Sequence, residues 1–412
     1  MTREDYTVHT LPNGLRVAHK RVSGTRLVHC GFIIHSGSRH DGDHPGLAHC
    51  LEHMVFKGTQ KRKTLQVLNH LEVVGGEMNA FTTKDLTAIY ASVQSSHFAR
   101  AIDILCDITL NSNFPEKELQ KEKRVIAEEI LMYQDTPEEN IYDEFQEMVF
   151  RGHPLAHNIL GSVDSLGSIR QEDLFAFTRA HYNASNMVLV VIGNVGLNRT
   201  LDLAARYSSA VPAGKSRPAS VKLPAYTPES LTKETDHVQS YSIFGGPAYA
   251  ENDPRRWTLL LLNNLLGGPG LNSRLNLAIR EKYGLTYHVE SGYQAYEETG
   301  LFHCYVSCEP AQMQRSTELI LKELKKLCEK ELGPLQLSGY KNQLKGQMIM
   351  GDENRSGLMV HIGKGILRYG KAHSLQDVLN EIDAITSDKL LEVAREIFNP
   401  DKFSYLNYIP AL

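Results

Sequence analysis

The run His49-Cys50-Leu51-Glu52-His53 places two imidazoles and a carboxylate within five positions. On a helix, positions i, i+3 and i+4 share one face, so His49 and His53 can point at one metal ion while Glu52 projects beside it. Neutral imidazoles suit zinc, and a neighbouring carboxylate suits proton transfer to and from water. The chemistry on offer is metal-assisted hydrolysis, in which zinc acidifies water towards a pKa of ~7. Manganese accepts the same donors. The set is one protein ligand short, because catalytic zinc usually takes three and keeps a fourth position open.

A second element must supply the missing ligand. The charged stretch from 114 to 130, following Pro115, reads as a long helix. At ~100° per residue Glu122 and Glu129 lie ~20° apart, inside the arc made by Leu119, Val125, Ile126 and Ile130, whereas Glu128 faces the opposite side with Arg124. A buried carboxylate is costly unless paired or bound to a metal, so both acids ask for a cation. A metal would answer that need, and so would pairing with Lys121 or Lys123. The motif helix itself is expected over 46–56, with Asp43 as N-cap and Pro45 in the first turn. Leu47, Leu51, Met54, Val55 and Phe56 would form its packing surface. Cys50, between the candidate ligands, reads as a small buried apolar residue rather than a nucleophile.

The elements around these helices recur along the chain. Strand-like segments Val28–Ile34 and Val238–Phe244 each precede a helical stretch, 46–56 in the first half and 257–266 in the second, where Leu259-Leu260-Leu261-Leu262 replaces the polar motif. The long helical pattern at 114–130 has a counterpart at 335–350, following Pro334. This points to an internal duplication with chemistry in one copy only. Strands alternating with such helices favour an α+β class, two duplicated domains each with helices packed on a sheet. The Pro-rich stretch Val211 to Ser230 is the natural divider, giving a metal-binding domain over 1–211, a linker over 212–230 and a metal-free copy over 231–412. Gly267-Gly268-Pro269-Gly270 is a turn and not a phosphate cradle, because no Gly-Lys-Ser/Thr follows it.

Composition narrows the class. Of 412 residues, 44 are Lys or Arg and 48 Asp or Glu, so no basic field exists to attract nucleic acid or an anionic membrane. Apolar runs such as Met187 to Ile192 fall far short of the ~20 residues needed to span a bilayer. The acidic start Met1-Thr2-Arg3-Glu4-Asp5 lacks the features of an export signal, and six scattered cysteines suit reduced thiols. A cytoplasmic protein is the expectation. Composition alone does not explain the 18 histidines.

Gly46-Leu47-Ala48-His49-Cys50-Leu51-Glu52-His53-Met54-Val55-Phe56-Lys57-Gly58-Thr59, taken with Glu122 and Glu129, resembles the pitrilysin/insulinase family of zinc peptidases, and within it the mitochondrial-processing-peptidase-like branch. The likeness continues through Asn79-Ala80-Phe81-Thr82, Ile159-Leu160-Gly161, Tyr182-Asn183-Ala184-Ser185-Asn186-Met187 and, in the second half, Ser273-Arg274-Leu275 and Arg280-Glu281-Lys282-Tyr283-Gly284-Leu285-Thr286-Tyr287. It implies one Zn2+ per chain held by His49, His53 and Glu129, with Glu52 as general base and Glu122 as supporting acid. It further implies that Asn79, Ala80, Phe81 and Thr82 form an edge strand that binds an extended peptide substrate, and that Arg280 and Tyr287 hold the scissile carbonyl. On the residues alone, Arg280 is a helix-end charge and Tyr287 a packed aromatic. The second half's counterparts of the two acids, near Tyr340 and Gln347, cannot act as carboxylate ligands. Longer family members close four such domains around a peptide; two domains per chain imply a homodimer with composite active sites. The alternatives are a non-catalytic structural or assembly subunit of the same fold, and an active subunit that needs an inactive partner chain.

Overall fold

The computed structural model describes residues 6–214 and 221–411, so residues 215–220 of the expected linker lie outside the described residues. The chain forms two compact units. One comprises Met1–Ile130, His157–Ala219 and Met350–Ser374; the other comprises Leu131–Ala156, Ser220–Ile349 and Leu375–Leu412. This differs from a single division at 212–230, because each unit takes a helical segment from the other half of the sequence.

Among the described residues, the first unit's strands are β1 (Thr7–Thr10), β2 (Arg16–Arg21), β3 (Leu27–Ile34), β4 (Glu77–Thr82), β5 (Thr87–Gln94) and β6 (Met187–Gly193). They form one sheet in the order β1-β2-β6-β3-β5-β4. Only β2 and β6 pair in parallel. The apolar run of β6 is buried along its whole length, as a central strand covered on both faces must be. Val188, Val190 and Ile192 join a core with Met359, Ile362 and Ile366 from helix Arg355–Tyr369. That helix sits very close to the sheet: a Cβ at Gly363 would lie 2.4 Å from Ile33 Cγ1. A sheet with an apolar face needs a covering layer, and the sequence supplies this one about 170 residues after β6.

In the second unit β7 (Ser230–Thr235), β8 (Ser240–Ala248), β9 (Thr286–Ala295), β10 (Gly300–Cys308) and β11 (Ser404–Pro410) are ordered β7-β11-β8-β10-β9. Helix Pro137–Val149 packs against β8 and β11, and its Tyr142 ring stacks on Tyr305 at 5.1 Å. Leu259, Leu261, Leu262, Leu265 and Leu266 of helix Arg256–Gly267 are buried in the core behind the sheet. The two long charged helices fall at Glu116–Gln134 and Pro334–Asp352, each followed by the helix that covers the other half's sheet. Both units are α+β. No helix among the described residues is long and apolar enough to cross a membrane, and all six cysteines are free.

Candidate metal centre

The motif lies on helix Leu47–Met54 of the first unit, whose Leu47, Leu51 and Met54 are buried. Its start is built differently from the expected Asp43 cap. Asp43 is exposed, and the N-cap position is Gly46 at φ 92°, where a Cβ would meet the Leu160 carbonyl at 2.4 Å. A residue without a side chain cannot cap, so the task passes to Asp41. Its carboxylate accepts the amide hydrogens of Gly46 at 2.7 Å and Ala48 at 2.9 Å. Burial pushes the Asp41 carboxyl up to about 7, against the pull of those amides.

From this helix His49 and His53 stack edge to face with ring centres 4.7 Å apart. Helix Glu116–Gln134 brings Glu129 opposite them: its Oε2 lies 3.9 Å from His49 Nε2 and 3.5 Å from His53 Nε2. Among the described residues these three are the group able to hold a metal ion, with ligand atoms within 4.8 Å of one another. Burial, followed by the neighbouring His53, lowers the His49 pKa to about 3 and so keeps the imidazole in its ligating form. Glu122 occupies the same helix face, buried, with Oε2 3.2 Å from His53 Nδ1. This is the arrangement in which a carboxylate takes the outer N–H of a ligating imidazole and leaves Nε2 free.

The helix periodicity places these acids well, with one correction. Leu119, Ile126 and Ile130 are buried and Arg124 and Glu128 exposed, as expected, but Val125 is 52% exposed. Val125 lies a further ~40° round the helix beyond Glu129, past the edge of the packed arc. The lysines expected as partners of the acids go elsewhere: Lys121 bonds Glu118 at 2.8 Å and Lys123 donates to the Gly167 carbonyl at 2.9 Å. Lys57, just past the end of the motif helix, takes Glu122 instead, at 2.7 Å. A pairing 65 positions away in sequence leaves no periodic signal.

Glu52 projects beside the two histidines, and burial raises its pKa against a hydrogen bond from Thr82 and the charge of His53. Its Oε2 is buried without a partner, as is His49 Nδ1. Two imidazoles, a converging carboxylate and an orphaned second carboxylate oxygen are the donor chemistry that a zinc ion and a water molecule would satisfy. Tyr182, which sequence spacing did not single out, buries an unbonded hydroxyl close enough to feel the Glu52 charge. Cys50 is fully buried and its thiol is pushed up to about 12 by burial, so it is inert at neutral pH, in line with the packing role expected of it.

Asn79, Ala80, Phe81 and Thr82 lie in β4, which pairs with β5 and forms one edge of the sheet among the described residues. In the second unit, Arg280 sits in a π-helical turn, Asn276–Glu281, with its guanidinium 4.9 Å from the Tyr287 ring centre. Tyr287 is not a packed aromatic: it is 85% exposed at the start of β9, itself a sheet edge. Both line a cavity of about 340 Å³ with His288, Glu290 and the Gly267–Leu271 turn. At the counterpart positions of the second half, Gln347 accepts a hydrogen bond from Asn264 at 2.7 Å, an amide pair and not a ligand set.

Comparison with known proteins agrees with this layout. The insulinase family (peptidase family M16) matches residues 16–163, and the peptidase M16 inactive domain matches residues 168–344. An uncharacterized zinc protease of Streptomyces coelicolor is 34% identical over 94% of this chain and 86% of its own length. One from Bacillus subtilis is 32% identical over 95% of this chain and 96% of its own. Among solved structures, a peptidase M16 inactive domain from Pseudomonas fluorescens superposes with a TM-score of 0.91 at 20% identity, covering 99% of both chains. A Helicobacter pylori protease gives 0.92 at 22% identity, covering 98% of this chain and 99% of its own. These two share the fold. With the family matching both halves and relatives above 30% identity along nearly the whole length, the chain belongs to the pitrilysin/insulinase family, peptidase family M16.

Proposed function

We propose that this chain is a zinc-dependent endopeptidase that hydrolyses unfolded peptides, working in the cytoplasm as a homodimer with two composite active sites. The observation that carries the reading is the convergence of His49, His53 and Glu129 within 4.8 Å beside a buried, unpartnered Glu52 oxygen. A scaffold subunit would have no physical need for three converging ligands and an uncompensated acid. The relatives' description as zinc proteases supports the metal and the reaction class.

His49, His53 and Glu129 would hold one zinc ion per chain, which when bound supplies a Lewis acid that acidifies water and polarises a carbonyl. Glu52, its pKa raised by burial, accepts a proton from water and returns it to the leaving amine. Thr82, at the last position of β4, lies close enough to Glu52 to lower its pKa, which ties the general base to the strand that takes the substrate. An extended peptide adds to the open side of β4 through main-chain hydrogen bonds, which tolerate many sequences. Arg280 and Tyr287 donate to the developing oxyanion, each donor contributing roughly 3 kcal/mol to transition-state stabilisation. The exposure of Tyr287 supports its delivery to a second copy of the chain.

Metal analysis and cleavage of a quenched peptide test the activity. The zinc-loaded protein should cleave it, and Glu52→Gln should lower kcat at least ~100-fold with the metal retained; equal rates for the two proteins would sink the peptidase reading. Mixing Glu52→Gln chains with Tyr287→Phe chains tests the composite sites. Hybrid dimers should regain one competent site, and a mixture as inactive as either parent would refute sharing between subunits.

A further inference from the structure

Resting on the metal-centre reading above, we propose that Lys57 is a positioning residue for that centre, setting the orientation of His53 through Glu122. Its backbone is fixed on both sides. The Lys57 amide bonds the Met54 carbonyl at 3.1 Å, closing the motif helix, and its carbonyl accepts from Thr64 Oγ1 at 2.8 Å. The following turn is anchored by Thr59, whose hydroxyl donates to Asp107 at 2.7 Å.

From this fixed base the ammonium reaches Glu122 Oε1 at 2.7 Å, in an ion pair whose side chains are 24% and 9% exposed. Glu122 therefore has its two oxygens assigned to different partners: Oε1 to Lys57 and Oε2 to His53 Nδ1 at 3.2 Å. Lys57 is the basic group that pairs with the inner acid, while Lys121 and Lys123, the lysines flanking Glu122 on its own helix, are engaged with Glu118 and Gly167. With the charge of Lys57 in place, the Glu122 carboxylate is compensated in a buried position and held in one rotamer, and its free oxygen fixes the His53 ring. His53 Nε2 then faces Glu129. Without Lys57, Glu122 can rotate or draw in water, and the ring loses its tether.

The experiment measures zinc affinity by competition with a chromophoric chelator, and separately the melting temperature of the metal-free protein. Lys57→Met keeps the aliphatic stem and should weaken zinc binding roughly 10- to 100-fold, the range for loss of an outer partner of a ligating histidine. The metal-free melting temperature should fall somewhat, because Glu122 is left buried without its counter-charge, but not by enough to account for the lost affinity. Lys57→Arg should recover most of the affinity, and in a Glu122→Gln background Lys57→Met should add nothing. The proposal is overturned by a Lys57→Met protein that binds zinc as tightly as wild type, by an equal loss in both backgrounds, or by a metal-free destabilisation that accounts for the lost affinity. A wild-type protein that binds no zinc would instead defeat the metal-centre reading itself, and so the two failures are distinguishable.

Discussion

Two buried aspartates in the first unit show how environment decides what a carboxyl does. Asp85 is desolvated, yet Arg368 and Arg39, at 2.5 and 2.8 Å, overcome that penalty and hold its pKa below the ordinary range. Asp41 meets backbone amide hydrogens and, as the smallest influence, the charge of Lys84, so burial wins and its carboxyl rises to about 7. A raised folded-state pKa contributes stability that is complete below the unfolded value of 3.8 and is lost as pH rises through about 7. Asp41→Asn cannot ionise and lacks that slope. Between pH 4 and 7 the melting temperature of wild type should therefore fall relative to Asp41→Asn, by an amount equivalent to a few kcal/mol. Parallel curves would show that Asp41 is ionised throughout.

Whole elements are constrained by how closely they approach one another. Helix Arg355–Tyr369 owes its distance from β3 to Gly363, whereas Gly346 in helix Pro334–Asp352 has open space where its Cβ would stand. The same substitution should thus act in opposite directions. Gly363→Ala forces a methyl into Ile33 and should cost about 1–3 kcal/mol of stability. Gly346→Ala gains helix propensity and should add up to about 1 kcal/mol. Urea unfolding of both variants checks this, and similar effects at the two positions would mean that helix propensity, not the close approach, sets the outcome. Elements also explain what the sequence left hidden at the site. The 3.6-residue period of helix Glu116–Gln134 revealed Glu122 and Glu129, because residues seven apart, about two helix turns, share a face. It could not reveal Lys57 and Tyr182 beside the centre, or Asp41 at the start of the motif helix, which act from loops and helix ends where no period operates.

For the whole molecule, the proposed dimer carries the strongest prediction, that enzyme active on peptides sediments at twice the 46.2 kDa of one chain. Activity from a species of single-chain mass would remove the need for a shared site. Much of this protein was determined by its sequence alone. The His49/His53 spacing, the paired acids, the α+β class and the duplicated order of elements all follow from local periodicity, which a chain cannot conceal. Tertiary structure decided the rest: that the compact units exchange helices between halves, that Asp41 and not Asp43 caps the motif helix, that Val125 lies outside the packed arc, and that Lys57 answers Glu122. Those outcomes depend on which distant segments meet. A pairing such as Arg368 with Asp85 becomes favourable only once both are withdrawn from water at the same place, and nothing in either segment's own pattern encodes that meeting.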